Sequence, residues 1–267
     1  MRLLNPGPRQ LAYTLDGPAG APVVMFSNSL GTRLSSWEAQ AEALSGRFRV
    51  LRYDSRGHGM SGLFGVDEPG RRGEGYTLAQ LGGDVLDLLD ALDIETVDFC
   101  GISMGGLTGL WLAIHAGHRL RRLVVANSAA RIGTASAWTE RAELVLVEGM
   151  ASVAAGAAGR WFTPDFIARA PATVARLIEG LRTCERRGYA ACCLALAEAD
   201  LRSEIAAITV PTLLMAGAQD PVTTVEHGRM TQEHISGASY VELPASHLSN
   251  IEAETAFNRH LLRFLDS

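Results

Sequence analysis

The stretch Val97-Asp98-Phe99-Cys100-Gly101-Ile102-Ser103-Met104-Gly105-Gly106 decides how this chain folds. Residues 97–102 are rich in β-formers and read as a buried strand. From 104 to 116 the composition turns helical. Between the two lies the pattern G-x-S-x-G, Gly101 to Gly105. A strand that turns straight into a helix is tight, and side chains at the two flanking positions would collide with neighbouring backbone, hence the glycines. The turn lifts the Ser103 hydroxyl above the carboxyl edge of the sheet. The helix start behind it offers unpaired N–H groups and a partial positive charge. Ser103 is thus a candidate nucleophile, and the Met104 N–H a candidate donor to an oxyanion.

Working outward, short apolar runs alternate with amphipathic ones. Residues 23–26, 48–53, 123–126, 212–216 and 239–243 read as further strands. Residues 77–92 carry apolar side chains at helical spacing behind Thr77 as an N-cap, and a terminal helix is expected over about 251–265. Strands alternating with helices predict an α/β fold, a mostly parallel sheet with helices on both faces. Residues 11–15 read as an edge hairpin strand. Residues 135–201 contain no convincing strand, only Ala-, Leu-, Glu- and Arg-rich helical sequence broken by Pro164 and Pro171. The expected division is a core of residues 1–134 and 202–267 with an inserted all-helical lid over 135–201.

A serine nucleophile needs a base, and the chain has seven histidines. His115 and His118 end the helix that follows Ser103, while His227, His234 and His260 fall in helical patterns. His247 follows the late strand 239–243 and precedes a helix, beside Ser246, Ser249 and Asn250, which places a mobile imidazole above the sheet. The base in turn needs a carboxylate to fix its tautomer. Asp220 sits on the loop after strand 212–216, at the same sheet edge. The loop after strand 123–126 carries Asn127 and Ser128, so no rival acid stands there. The chain order Ser103, Asp220, His247 differs from that of trypsin-like and subtilisin-like proteases and is the α/β-hydrolase order. A second oxyanion donor is expected from the loop Ser27-Asn28-Ser29-Leu30-Gly31, at the backbone N–H of Leu30, with Asn28 bracing the loop.

Composition narrows the chemistry. All 24 basic residues are Arg, so a lysine Schiff base, a pyridoxal anchor and a phosphate-loop lysine are excluded. The net charge of −5 argues against a nucleic-acid partner. The start has no apolar run of signal-peptide length, and the longest apolar stretch, residues 144–158, is broken by Glu148. A cytoplasmic enzyme is therefore expected, without a membrane partner. Cys100, Cys184, Cys192 and Cys193 show no metal-ligand spacing and read as reduced packing thiols. No cofactor and no metal are expected, and the oligomeric state is open.

Together with Tyr53-Asp54-Ser55-Arg56-Gly57-His58-Gly59-Met60-Ser61, these motifs resemble the α/β-hydrolase superfamily over nearly the whole chain. In that resemblance Asp54 and His58 are architectural. The segments Ser27-Asn28-Ser29-Leu30-Gly31-Thr32 and Ser128-Ala129-Ala130-Arg131-Ile132-Gly133-Thr134, followed by Trp138, resemble the bacterial 3-oxoadipate enol-lactonases. That resemblance implies hydrolysis of a small lactone bearing a free carboxylate, through an acyl-enzyme, in aromatic catabolism. With no Lys present, Arg is the expected carboxylate partner, and its planar fork suits one bidentately. Arg33 and Arg131 are the candidates, with Trp138 and Trp161 as pocket walls. Other small-ester or lactone hydrolases, a perhydrolase and a carbon–carbon bond hydrolase share the same triad and stay open. So does a small-molecule receptor with slow turnover. A haloalkane dehalogenase is disfavoured, since it would carry Asp where Ser103 stands.

Overall fold

A computed structural model describes residues 1–5, 7, 9–66 and 75–267. Eight strands form one sheet: β1 (Arg2–Leu4), β2 (Leu11–Asp16), β3 (Val23–Ser27), β4 (Arg49–Tyr53), β5 (Val97–Ile102), β6 (Leu120–Ala126), β7 (Thr212–Gly217) and β8 (Ser239–Leu243). Their order is β1-β2-β4-β3-β5-β6-β7-β8. From β4 to β8 every pairing is parallel, and β1 and β2 are antiparallel. The central strands β3 and β5 are buried along their whole length, which is why they read as continuous apolar runs rather than as alternating ones. One correction falls at the edge. Residues 11–15 are not the edge strand, because β1 pairs outside β2. Three residues are too few for alternation to announce a strand.

The helices between the core strands are α1 (Glu38–Leu44), α2 (Leu78–Ala91) and α3 (Met104–His115). Thr77 caps α2 through a reciprocal pair: its hydroxyl accepts from Gln80 N–H at 3.2 Å and its own N–H donates to Gln80 Oε1 at 2.9 Å. Six helices then fall between β6 and β7: α4 (Ala135–Glu148), α5 (Ala151–Ala155), α6 (Ala157–Trp161), α7 (Pro164–Arg169), α8 (Pro171–Arg182) and α9 (Arg186–Glu198). Thr134 and Thr163 cap α4 and α7, and proline opens both α7 and α8, where its missing N–H costs nothing. The chain closes with α10 (Val225–Glu233), α11 (Ser249–Glu252) and α12 (Glu254–Leu265).

These layers share one apolar core. Phe26, Phe99, Leu107, Val124 and Leu214 of the sheet and α3 belong to the same buried cluster as Val145, Phe162 and Leu181 of the inserted segment. All four cysteines are buried free thiols. Among the described residues no helix is long and apolar enough to cross a membrane.

Candidate active site

The sheet reverses its winding direction at β3, with β4 on one side and β5 on the other. The carboxyl ends of strands around such a reversal form a crevice, and that is where loops converge here. Ser103 begins at the end of β5 with φ 56° and ψ −118°, a strained conformation for a residue with a side chain. The neighbouring glycines make the turn possible. A Cβ on Gly101 would stand 2.1 Å from the Gly105 carbonyl oxygen, and one on Gly105 would stand 2.3 Å from that of Ser27.

His247 Nδ1 lies 2.8 Å from Asp220 Oδ2, so Nδ1–H donates to the carboxylate and Nε2 is left for other work. Ser103, Asp220 and His247 are each at most 5% exposed. Asp220 is held tightly: Val222 N–H and Thr223 N–H donate to Oδ1 at 2.7 and 3.1 Å, and the Thr223 hydroxyl to Oδ2 at 2.7 Å. Burial alone pushes the Asp220 carboxyl up. The His247 ring, Asn127 and Thr223 outweigh that and hold it below its ordinary value. Asn127 was not named from the sequence as a site residue. Its Nδ2 donates to Asp220 Oδ2 at 2.9 Å and to the Ser246 carbonyl at 3.1 Å, so one amide grips both the acid and the loop of the histidine.

Among the described residues, the N–H groups of Met104 and Leu30 have no hydrogen-bond acceptor. Met104 is the first residue of α3, where an orphan donor is expected. The loop that carries Leu30 is fixed on all sides. Asn28 donates from Nδ2 to the Tyr53 carbonyl at 2.7 Å and accepts from Trp37 Nε1 at 3.0 Å. Its own carbonyl accepts from Gly105 N–H at 3.0 Å. Gly31 N–H donates to His58 Nε2 at 3.0 Å, and Leu34 N–H to Asp54 Oδ1 at 2.7 Å. His58 and Asp54 thus clamp this loop from the segment after β4.

A cavity of about 250 Å³ brings these loops together, and its walls include Ser29, Leu30, Ser103 and His247. The inserted helices supply Trp138, Arg141, Arg160, Trp161, Leu181 and Tyr189. Trp138 is fixed by a 2.5 Å bond from Nε1 to the Ile132 carbonyl, and the Arg141 guanidinium stacks 5.0 Å from its ring centre. Arg33 and Arg131 are not brought here. Arg33 turns toward the end of α8, donating to Thr183 Oγ1 at 2.9 Å, and faces a separate groove. Arg131 pairs with Asp200 at 3.3 Å and faces a different hollow. Arg141 and Arg160 line the cavity instead. Neither is paired with a carboxylate among the described residues. Burial draws the Arg160 guanidinium down from its ordinary value, and the Arg141 charge beside it adds to that. Neither was singled out from the sequence, where an arginine on such a helix looks like one on a solvated face; the only local hint is that Arg141 stands three residues after Trp138 and that Arg160 adjoins Trp161.

The chain is similar to known proteins over most of its length. A family model described as serine aminopeptidase, S33, matches residues 18–243. The chain is 49% identical to 3-oxoadipate enol-lactonase 2 of Acinetobacter baylyi over 248 residues, covering 93% of this chain and 90% of that protein. It is 44% identical to 3-oxoadipate enol-lactonase 1 of the same organism over 97% of this chain and 94% of that one. The crystal structure of the enol-lactonase from Burkholderia xenovorans LB400 superposes with a TM-score of 0.91 at 45% identity, over 97% of each chain.

Proposed function

The chain belongs to the α/β-hydrolases, in the branch of the enol-lactonases, and from that premise we propose that it is a serine hydrolase opening a small carboxylate-bearing enol-lactone, 3-oxoadipate enol-lactone, to 3-oxoadipate. One observation carries the reading. A single cavity of about 250 Å³ collects Ser103, the His247 held by Asp220, and two arginines that have no carboxylate partner among the described residues. That volume lies below the roughly 300–1,000 Å³ of pockets for drug-sized ligands, which favours a small acid over a peptide or a long acyl chain.

The chemistry follows from the roles. Ser103 Oγ attacks the lactone carbonyl while His247 Nε2 takes its proton. The tetrahedral oxyanion is held by the N–H groups of Met104 and Leu30. The bond from the carbonyl carbon to the enol oxygen breaks, and the proton on His247 passes to the leaving oxygen, giving an enol that becomes the ketone. Water then attacks the acyl-enzyme, its proton goes to His247 and on to Ser103, and the second carboxylate is released. The helices over 135–201 act as a lid, supplying the cavity roof and, through Arg141 and Arg160, the donors for the carboxylate that does not react. Trp138 and Trp161 form apolar walls. The reading needs no cofactor and places the enzyme in aromatic-compound catabolism in the cytoplasm.

The test is a substrate panel on wild type and Ser103→Ala: the enol-lactone, neutral lactones, p-nitrophenyl esters and a peracid assay. The expected result is enol-lactone turnover above about 1 s⁻¹, the low end of the usual enzyme range, abolished in Ser103→Ala. Binding without turnover would point to a receptor. Faster turnover of neutral esters would point to a general esterase.

A further inference from the structure

Glu252, on α11, is a buried acid whose carboxylate faces no basic side chain within ion-pair distance among the described residues. Its carboxylate oxygens accept only neutral donors, from two places, while its main-chain carbonyl accepts from Arg169 Nη2 of α7 at 3.0 Å. One is Thr163, the cap of α7, whose N–H lies 3.2 Å from Oε1 and whose hydroxyl also donates there. The other is Ser246 N–H, 2.8 Å from Oε2. Ser246 immediately precedes His247. On the far side of the histidine, Leu248 N–H donates to the Trp161 carbonyl at 3.0 Å. The residues on both sides of His247 are therefore tied to the segment 160–163, whose Arg160 and Trp161 line the cavity.

We propose that Glu252 is a positioning residue that couples the seat of the helical lid to the seat of His247. The proposal rests on the reading of His247 as the base. A buried carboxylate is costly unless all its donors are present. Drawing Thr163 away would strand the charge, so the carboxylate follows the lid and carries Ser246 with it. Charge-assisted bonds are shorter and stronger than neutral ones, so one carboxylate serves both arms where an amide, with a single acceptor oxygen, serves one. The imidazole is then seated over Ser103 only while α6 and α7 are seated over the cavity.

The experiment compares Glu252→Gln, Thr163→Val and Thr163→Ser with wild type by two measurements that need no enol-lactone. The first is the downfield proton resonance of His247 Nδ1–H. The second is kcat and KM on p-nitrophenyl acetate. Thr163 does not line the cavity, yet Thr163→Val is expected to shift or broaden the His247 resonance and to lower kcat more than it alters KM. Glu252→Gln is expected to do the same, with a kcat loss of about 100-fold, the loss that a misplacement of roughly 1 Å carries. Thr163→Ser, which restores the hydroxyl, is expected to return the resonance to the wild-type position. If both altered variants keep the wild-type resonance and kcat, or if only KM rises, Glu252 is a packing residue and the coupling is overturned. Should Glu252→Gln fail to fold, the Thr163 pair decides alone, since it changes one hydroxyl at a helix cap. Failure of the enol-lactone assignment would appear only in the substrate panel and would leave the resonance untouched.

Discussion

At Asn127 the backbone takes φ 42°, a left-handed conformation that Asn tolerates better than most residues, and this turns its amide back toward Asp220 and Ser246. The Ser249 hydroxyl donates to its Oδ1 at 2.5 Å, so both ends of the amide are engaged. Asn127→Ala removes a donor from a buried carboxylate, and an abandoned buried acceptor costs about 1–3 kcal/mol. We expect a stability loss of that order in urea unfolding at neutral pH. The sign with pH follows from Asp220. Its folded value lies below the ordinary one, so it contributes stability above about pH 3.9, and that contribution disappears as pH falls through the folded value. Removing Asn127 raises the folded value. The contribution at neutral pH then shrinks, and its loss on acidification is complete at a higher pH than in wild type. A variant with an unaltered acid limb would show that Thr223 and the backbone hold Asp220 unaided. That Ser103, Asp220 and His247 stand at one sheet edge was legible because each has a local signature: an elbow, and two loops after late strands. Asn127 has none. Inspecting its loop for a carboxylate finds an amide, and only the fold shows that the amide meets an acid 93 residues away.

The strands and long helices of the core were readable because parallel strands buried on both faces give apolar runs and their crossover helices give a regular apolar stripe. The helices over 135–201 were readable as helices, but not the direction of their side chains. Several join the common core on one side and roof a cavity on another, so an arginine turned inward looks, in sequence, like one on a solvated face. That is why Arg33 and Arg131, chosen for their loops, stand elsewhere, while Arg141 and Arg160 stand in the cavity. The difference predicts a contrast among four variants. Hydrogen bonds to a charged group contribute about 1.5–3 kcal/mol, so Arg141→Gln and Arg160→Gln should each raise KM for the carboxylated lactone by roughly 10- to 100-fold. On a neutral ester both should stay near wild type. Arg33→Gln and Arg131→Gln, whose guanidinia are engaged with Thr183 and Asp200, should leave KM for either substrate near wild type. Equal losses on charged and neutral substrates would remove the lid arginines from carboxylate binding.

Across the whole molecule, charge is carried on a single cationic side chain type, and the sum is −5. The global field therefore repels an anionic substrate, and attraction has to come from groups at the cavity itself. Most buried or half-buried arginines have carboxylates of their own: Arg56 grips Asp84 at 2.5 Å, and Arg121 reaches Asp98 at 2.7 Å. Such pairing keeps a guanidinium protonated and occupied. Arg141 and Arg160 lack it among the described residues, and Arg160 is drawn below its ordinary value by burial and by its neighbour. A guanidinium that lines the cavity with no carboxylate across its donor edge is open to any reagent the cavity admits. Dicarbonyl reagents should thus find Arg141 and Arg160 early among the 24 arginines. Treatment with phenylglyoxal is expected to abolish lactone turnover at low modification, with 3-oxoadipate protecting, and peptide mapping should place the first protected adduct on Arg160 or Arg141. Inactivation without protection by the product, or first adducts on Arg33 or Arg131, would show that the cavity arginines do not hold the substrate.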